Sequence, residues 1–208
     1  MADERKALIA AACHFYQRGW MVGTAGNLSA RSANGGFWIT ASGRHKGELD
    51  ELDFIRLDLD GMVLEAPDVA ARPSAETSIH QAIYRCFPEA GAIYHVHSVE
   101  ANVVSHWAAD GRLRLPALEM LKGLGRWEAE PAVDLPVFEN LPHVPDIARR
   151  IEAQLQEAPP AVPALLIHLH GATVWGPSPR AALHHTELLE YIFRFMVTAR
   201  MAGLGGTQ

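Results

Sequence analysis

Residues 90–98 read AGAIYHVHS and residues 163–176 read PALLIHLHGATVWG, and these two apolar stretches decide how the chain is read. The first is short, bounded by glycine and serine, and built of small, β-branched and aromatic residues, as a buried strand is. His95 and His97 stand two apart in it, so the period of a strand puts both imidazoles on one face. The second stretch carries another His-x-His, His168 and His170, among leucines. It reads as a strand pair or one long bent strand, punctuated by Gly171 and Gly176. Buried polar side chains need partners, and histidine is the commonest metal ligand. A catalytic zinc ion commonly takes three protein ligands and keeps one position open. Four histidines are on offer, and spacing alone does not choose between His168 and His170. By itself the first pair is a weak signal, more often two partly exposed histidines on an edge strand; its repetition in the second stretch points to a shared site.

Outward from these stretches, strands and helices mix without strict alternation. Leu8, Ile9, Ala12, Phe15 and Tyr16 recur at helical spacing and predict a helix over 3–18 that Gly19 closes. GTAGNLSAR (23–31) reads as a loop of small residues. GGFWIT (35–40) reads as a strand entering a second loop, ASGRHKGEL (41–49), and DFIRLDLDG (53–61) as a half-buried strand ending at a DG turn. RPSAETSIHQAIYRCFP (72–88) predicts a helix with Ser74 at its N-cap and Pro88 as its stop. Further helices are expected over 99–107 and 144–158, with short strands near 116–119 and 132–137. Ser178 at the N-cap, Pro179 behind it and Gly203 at the far end frame a helix over 178–203. This order predicts one domain over 1–208, a three-layer α/β/α fold with a mainly antiparallel central sheet.

The bulk numbers narrow the function. The chain has 208 residues, 49% of them hydrophobic, and a formal net charge of −6. An acidic chain has no basic surplus for nucleic-acid phosphates, so no nucleic-acid partner is expected. A small phosphorylated ligand is compatible, because a local site of backbone N–H groups holds an anion in an acidic protein. No apolar run approaches the roughly 20 residues of a membrane span. Two cysteines, Cys13 and Cys86, form no CxxC, and MADERKAL lacks a secretory leader pattern, so the cytoplasm is expected.

Six motifs in register carry a resemblance. GTAGNLSAR, ITASGRHKGEL, PSAETSIHQAIYR, GAIYHVHS, LEMLKG and LHGATVWG resemble the class II (fuculose-type) aldolase superfamily over residues 5 to 200. PSAET, HVHS and EMLKG together look like its methylthioribulose-1-phosphate dehydratase branch. The resemblance implies one Zn²⁺ per subunit held by His95, His97 and His170, leaving His168 as a neighbour. It implies that Gly26, Asn27, Ser42, Gly43 and Ser74 hold the phosphate of a small sugar-phosphate substrate, with Lys46 and Lys122 as further cationic candidates. Arg44 and His45 read as a solvated loop. Two glutamates compete for acid/base work. Glu119, in LEMLKG, resembles the acid/base of the dehydratases, and Glu76 the base of the fuculose-type aldolases; Glu119 is favoured. The implied reaction is zinc-dependent dehydration of 5-methylthioribulose 1-phosphate in methionine salvage, with aldol cleavage or 4-epimerisation at a similar zinc site as the alternative. The resemblance also implies a homotetramer. His184, Glu187 and Tyr191 share a helix face and read as packing, and His80, His106 and His143 carry no assignment.

Overall fold

The computed structural model describes residues 3–204. Its centre is a nine-stranded sheet in the order β4-β3-β2-β1-β5-β9-β8-β7-β6. The strands are β1 (Asn27–Arg31), β2 (Phe37–Thr40), β3 (Phe54–Leu57), β4 (Val63–Glu65), β5 (Ala92–Val96), β6 (Arg112–Leu115), β7 (Val133–Phe138), β8 (Ala164–Ile167) and β9 (Gly171–Gly176). Every neighbouring pair is antiparallel except β7 with β8. Helices α1 (Glu4–Gln17), α3 (Val99–Ser105) and α5 (Pro179–Met201) cover one face, and α2 (Thr77–Cys86) and α4 (Val144–Glu157) the other. This is the three-layer, mainly antiparallel architecture expected.

The period of two sorts the core. Tyr94 and Val96 of β5 pack with Leu8, Phe15 and Phe193 on the α1/α5 side, while Ile93 packs with Ile79 and Ile83 of α2. His95 has the parity of Ile93 and so faces the α2 side. The same alternation runs through β1, where Leu28 and Ala30 join the α1/α5 core and Ser29 turns to α2. Among the described residues no helix is long and apolar enough to cross a membrane.

Five local expectations are corrected. Only 23–26 is loop in GTAGNLSAR; Asn27–Arg31 is strand β1, wedged between β2 and β5 near the middle of the sheet. The strand begun at Phe54 stops at Leu57, because the Asp58 carboxylate accepts from the Asp60 and Met62 amides and turns the chain early. α2 starts at Thr77 with Glu76 as its N-cap residue, not at Ser74. Residues 72–74 are instead tied to the end of β2, through Ser42 N to Arg72 O at 2.8 Å and Ser74 N to Thr40 O at 3.3 Å. The strand expected near 116–119 lies at 112–115, and residues 119–124 form a 3-10 helix. His168 and His170 are not on a strand: residues 168–170 are the turn of the β8–β9 hairpin. Leu169 sits there at φ +52°, a left-handed backbone uncommon for a residue with a side chain.

The long helix is capped as its sequence requires, with the Ser178 hydroxyl accepting from the Ala181 amide at 3.2 Å. On its buried face lies Glu190, 2% exposed, and among the described residues neither carboxyl oxygen has a hydrogen-bond partner. Burial pushes this acid up to about 8, and the nearby Ser98 hydroxyl offsets only part of that. An acid whose pKa is raised on folding binds its proton in the native state while the unfolded chain has lost it. Stability therefore falls as pH rises from the ordinary glutamate range, near 4.5, through about 8. Glu190→Gln removes this dependence. In denaturant titrations at pH 5 and pH 8, the variant gains on the native protein by a few kcal/mol as pH rises; a constant difference would contradict the buried, protonated acid.

Candidate functional site

Three imidazoles converge where β5 and the β8–β9 turn meet. β5 pairs with β9 in a register that sets His95 opposite Thr173 and Val96 opposite Ala172. Gly171 makes the approach possible. A Cβ there would lie 2.2 Å from the Val96 carbonyl oxygen, so only glycine fits beside His170. The turn is pinned from outside by His168 N donating to Phe138 O and Leu169 N to the Ser105 hydroxyl. The result is that His170 points at His95 and His97. Their ring centroids stand 4.6 to 5.0 Å apart, each pair nearly perpendicular. His168, thrown to the other side by Leu169, packs against His106 instead at 5.2 Å. The choice that spacing left open is thus made by one residue's backbone.

Glu76 joins the cluster from the start of α2. Its Oε1 lies 2.6 Å from His170 Nε2 and 3.5 Å from His95 Nε2, while His97 Nε2 lies 2.9 Å from His95 Nε2. One ligand atom from each of the four residues lies within 4.8 Å of the others. Burial alone would push the Glu76 carboxyl up, but the attraction of His95 and hydrogen bonds to His170 and His95 hold it far below the usual carboxylate range. Burial first, and then the neighbouring His95, lower His97 to about 3. The outer nitrogens of the other rings are engaged: His95 Nδ1 with the Thr173 hydroxyl at 2.8 Å, and His170 Nδ1 with Asn140 Oδ1 at 3.2 Å. With Nδ1 of His170 turned to Asn140, Nε2 is the nitrogen left facing Glu76 and the other two rings, the one that would face a bound ion. Nitrogens and a carboxylate facing one another at these distances form a donor set that fits a divalent cation, and imidazoles suit zinc among others.

A cavity of about 320 Å³ opens beside the cluster. Gly26, Asn27, Ser42, Gly43, Lys46, Ser74, Glu76 and His97 all line it. Gly26 earns its place by conformation: at φ +75°, its missing Cβ would stand 2.7 Å from the His95 carbonyl oxygen. Lys46 is 2% exposed and its ammonium donates to Thr24 O at 2.8 Å and Arg44 O at 2.9 Å, tying the two small-residue loops together. Burial lowers it to about 8 despite the pull of Glu76 and Asp53. Arg44 pairs with Asp53 at 3.2 Å and His45 packs on Tyr16, so neither enters the cavity.

Glu119 and Lys122 are elsewhere. Glu119 is 79% exposed at the start of the 3-10 helix and pairs with Lys122 at 2.8 Å. That helix buries Leu121 and Leu124 in the α1/α5 core, the face opposite Glu76. The sequence reading missed Thr173 and Asn140, which orient the rings, and His80, which touches Asn27. The signal for His80 was available: it follows Glu76 by four residues, one helical turn.

Residues 6–197 match the family described as Class II Aldolase and Adducin N-terminal domain. The chain is 57% identical over 199 residues to a methylthioribulose-1-phosphate dehydratase of Microcystis aeruginosa, covering 96% of this chain and 97% of that one. A protein of the same name from Leptospira biflexa is 43% identical, over 88% and 90% of the two chains. Among solved structures, an L-fuculose-1-phosphate aldolase from Thermus thermophilus superposes with a TM-score of 0.76 at 25% identity, covering 98% of this chain and 97% of that one. By the match along nearly its whole length and by the identity to these relatives, the chain belongs to the class II aldolase and adducin family.

Proposed function

We propose that this protein is a metal-dependent methylthioribulose-1-phosphate dehydratase of methionine salvage, a single class II aldolase-like domain acting in the cytoplasm as a homotetramer. The observation that carries the reading is the joining of a three-imidazole cluster to a cavity lined by two small-residue loops. The 57% identity to a relative of that name supports the choice of substrate. His95, His97 and His170 hold one Zn²⁺, with Glu76 beside them. Held there, such an ion would supply Lewis-acid stabilisation of negative charge developing on the substrate.

The chain's own residues do the rest. Backbone N–H groups and hydroxyls of Gly26, Asn27, Ser42, Gly43 and Ser74 take the phosphate and fix the carbon chain over the histidines. Lys46 holds the two loops at their spacing rather than presenting a free ammonium. In the reaction the C3–H bond breaks and its proton passes to a carboxylate. The C4–O bond then breaks, the hydroxyl leaving with a proton as water, and the enol that remains ketonises to the 2,3-diketone. Glu119 is the acid/base of this reading. Because Glu119 is exposed and lies on the face opposite Glu76 in its own chain, this reading has it and Lys122 act in the cavity of a neighbouring copy. The position of Glu76 against the histidines favours a second reading, aldol cleavage with Glu76 as base.

Three outcomes test this. Purified zinc-loaded protein given 5-methylthioribulose 1-phosphate yields a product lighter by one water, and a chelator abolishes it; two smaller fragments would instead establish the aldolase. His170→Ala removes stoichiometric zinc while His168→Ala retains it, as read by metal analysis; the reverse would overturn the ligand assignment. Glu119→Gln lowers kcat by roughly 10²-fold or more with zinc still bound. A variant with near-normal kcat would pass the role to Glu76.

A further inference from the structure

Beneath Glu76 runs a file of buried polar side chains that the function above does not use. Tyr84 Oη lies 2.9 Å from Ser29 Oγ, and Ser29 Oγ 2.7 Å from His80 Nδ1. His80 Nε2 lies 2.5 Å from Asn27 Oδ1, and Asn27 Nδ2 donates to Glu76 Oε2. Tyr84, Ser29, His80 and Asn27 are each 2% exposed or less. The sheet sets them in place: Asn27 stands opposite His95 and Ser29 opposite Ile93 on the face that α2 covers. His80 and Tyr84 follow Glu76 at one-turn intervals along α2.

The direction of every bond follows from its last member. The Glu76 carboxylate is only an acceptor, so Asn27 must turn its NH2 toward it. Asn27 Oδ1 then faces His80 and needs a donor. A neutral imidazole has one N–H and one lone pair, so the proton is on Nε2 and Nδ1 accepts from the Ser29 hydroxyl. Ser29 Oγ in turn accepts from Tyr84. Burial, and then the nearby His95, lower His80 to about 3, in keeping with a neutral ring. Four donors thus point one way, toward the carboxylate, and bonds in such a chain polarise one another.

We propose that His80 is a positioning residue: as the neutral Nε2–H tautomer it locks the Asn27 amide, which holds Oε2 of Glu76 and leaves Oε1 to the histidine cluster. Asn27 also lines the substrate cavity, so the same lock joins the phosphate loop to the metal site. The inference rests on the reading of Glu76 and the three histidines as a metal site, and its two tests separate that reading from the lock itself.

The first test needs no variant and no metal. Long-range ¹H–¹⁵N correlation spectra of the native protein show His80 neutral with its proton on Nε2. A proton on Nδ1 would reverse the file, set Asn27 Oδ1 against the Glu76 carboxylate and overturn the proposal, as would an imidazolium at neutral pH. The second test compares two amides. The Gln side chain reaches as far as Nε2 of histidine, the Asn side chain only as far as Nδ1. His80→Asn therefore loosens zinc by several-fold, up to roughly 10-fold, in competition with a chromophoric chelator, the low end of the range for an outer partner because His80 acts through Asn27 and Glu76. His80→Gln recovers most of that loss. Equal losses in the two folded variants would show that His80 only fills space. If the native protein binds no metal while His80 holds the Nε2 proton, the metal reading fails and the lock on Glu76 stands.

Discussion

The pairing of β5 with β9 is the constraint on which the site depends. Its register sets His95 between Asn27 of β1 and Thr173 of β9. Its closeness, possible because Gly171 has no side chain to meet the Val96 carbonyl, carries the hairpin turn against the end of β5. Only then does His170 arrive beside His95 and His97. The site is accordingly built at the end of a rigid sheet, where ladder hydrogen bonds fix the backbone, and not on loops alone.

Packing imidazoles and a carboxylate into a largely apolar fold carries a desolvation cost unless each polar atom finds a partner. The chain meets this by rings of specific contacts. Thr173 and Asn140 occupy the outer nitrogens of His95 and His170, and Asn27 holds the second oxygen of Glu76. Lys46 satisfies loop carbonyls rather than reaching for solvent. The inward-facing atoms of the three rings and the carboxylate are then left to one another, in a buried space where an ion's charge is weakly screened.

Much of this was legible in the sequence, and what was not has physical reasons. Period two in AGAIYHVHS places His95 and His97 on one face, because the alternation belongs to the extended backbone itself and needs no distant partner. Period two failed for LLIHLHG, because Leu169 turns left-handed and sends His168 away from His170; a side chain at positive φ leaves no mark in the residue types. Ser74 looked like a cap, but tertiary ties to β2 delay the helix to Thr77. GNLSAR looked like a loop because its small and polar residues serve a strand that faces a polar file on one side. His80 went unassigned because its partners, Ser29 and Asn27, lie about 50 residues away in sequence, as the separations of 51 and 53 show. Glu119 is readable only by resemblance, since nothing within its own chain draws it to the histidines.

The central claim is that three imidazoles, two from β5 and its end and one from the hairpin turn, hold one ion. X-ray absorption spectroscopy of the zinc-loaded protein measures this directly. The account predicts outer-scattering signatures of three imidazoles, with nitrogen at roughly 2.0–2.1 Å and no sulfur. A fit requiring fewer than three imidazoles, or a sulfur ligand from Cys13 or Cys86, would contradict it.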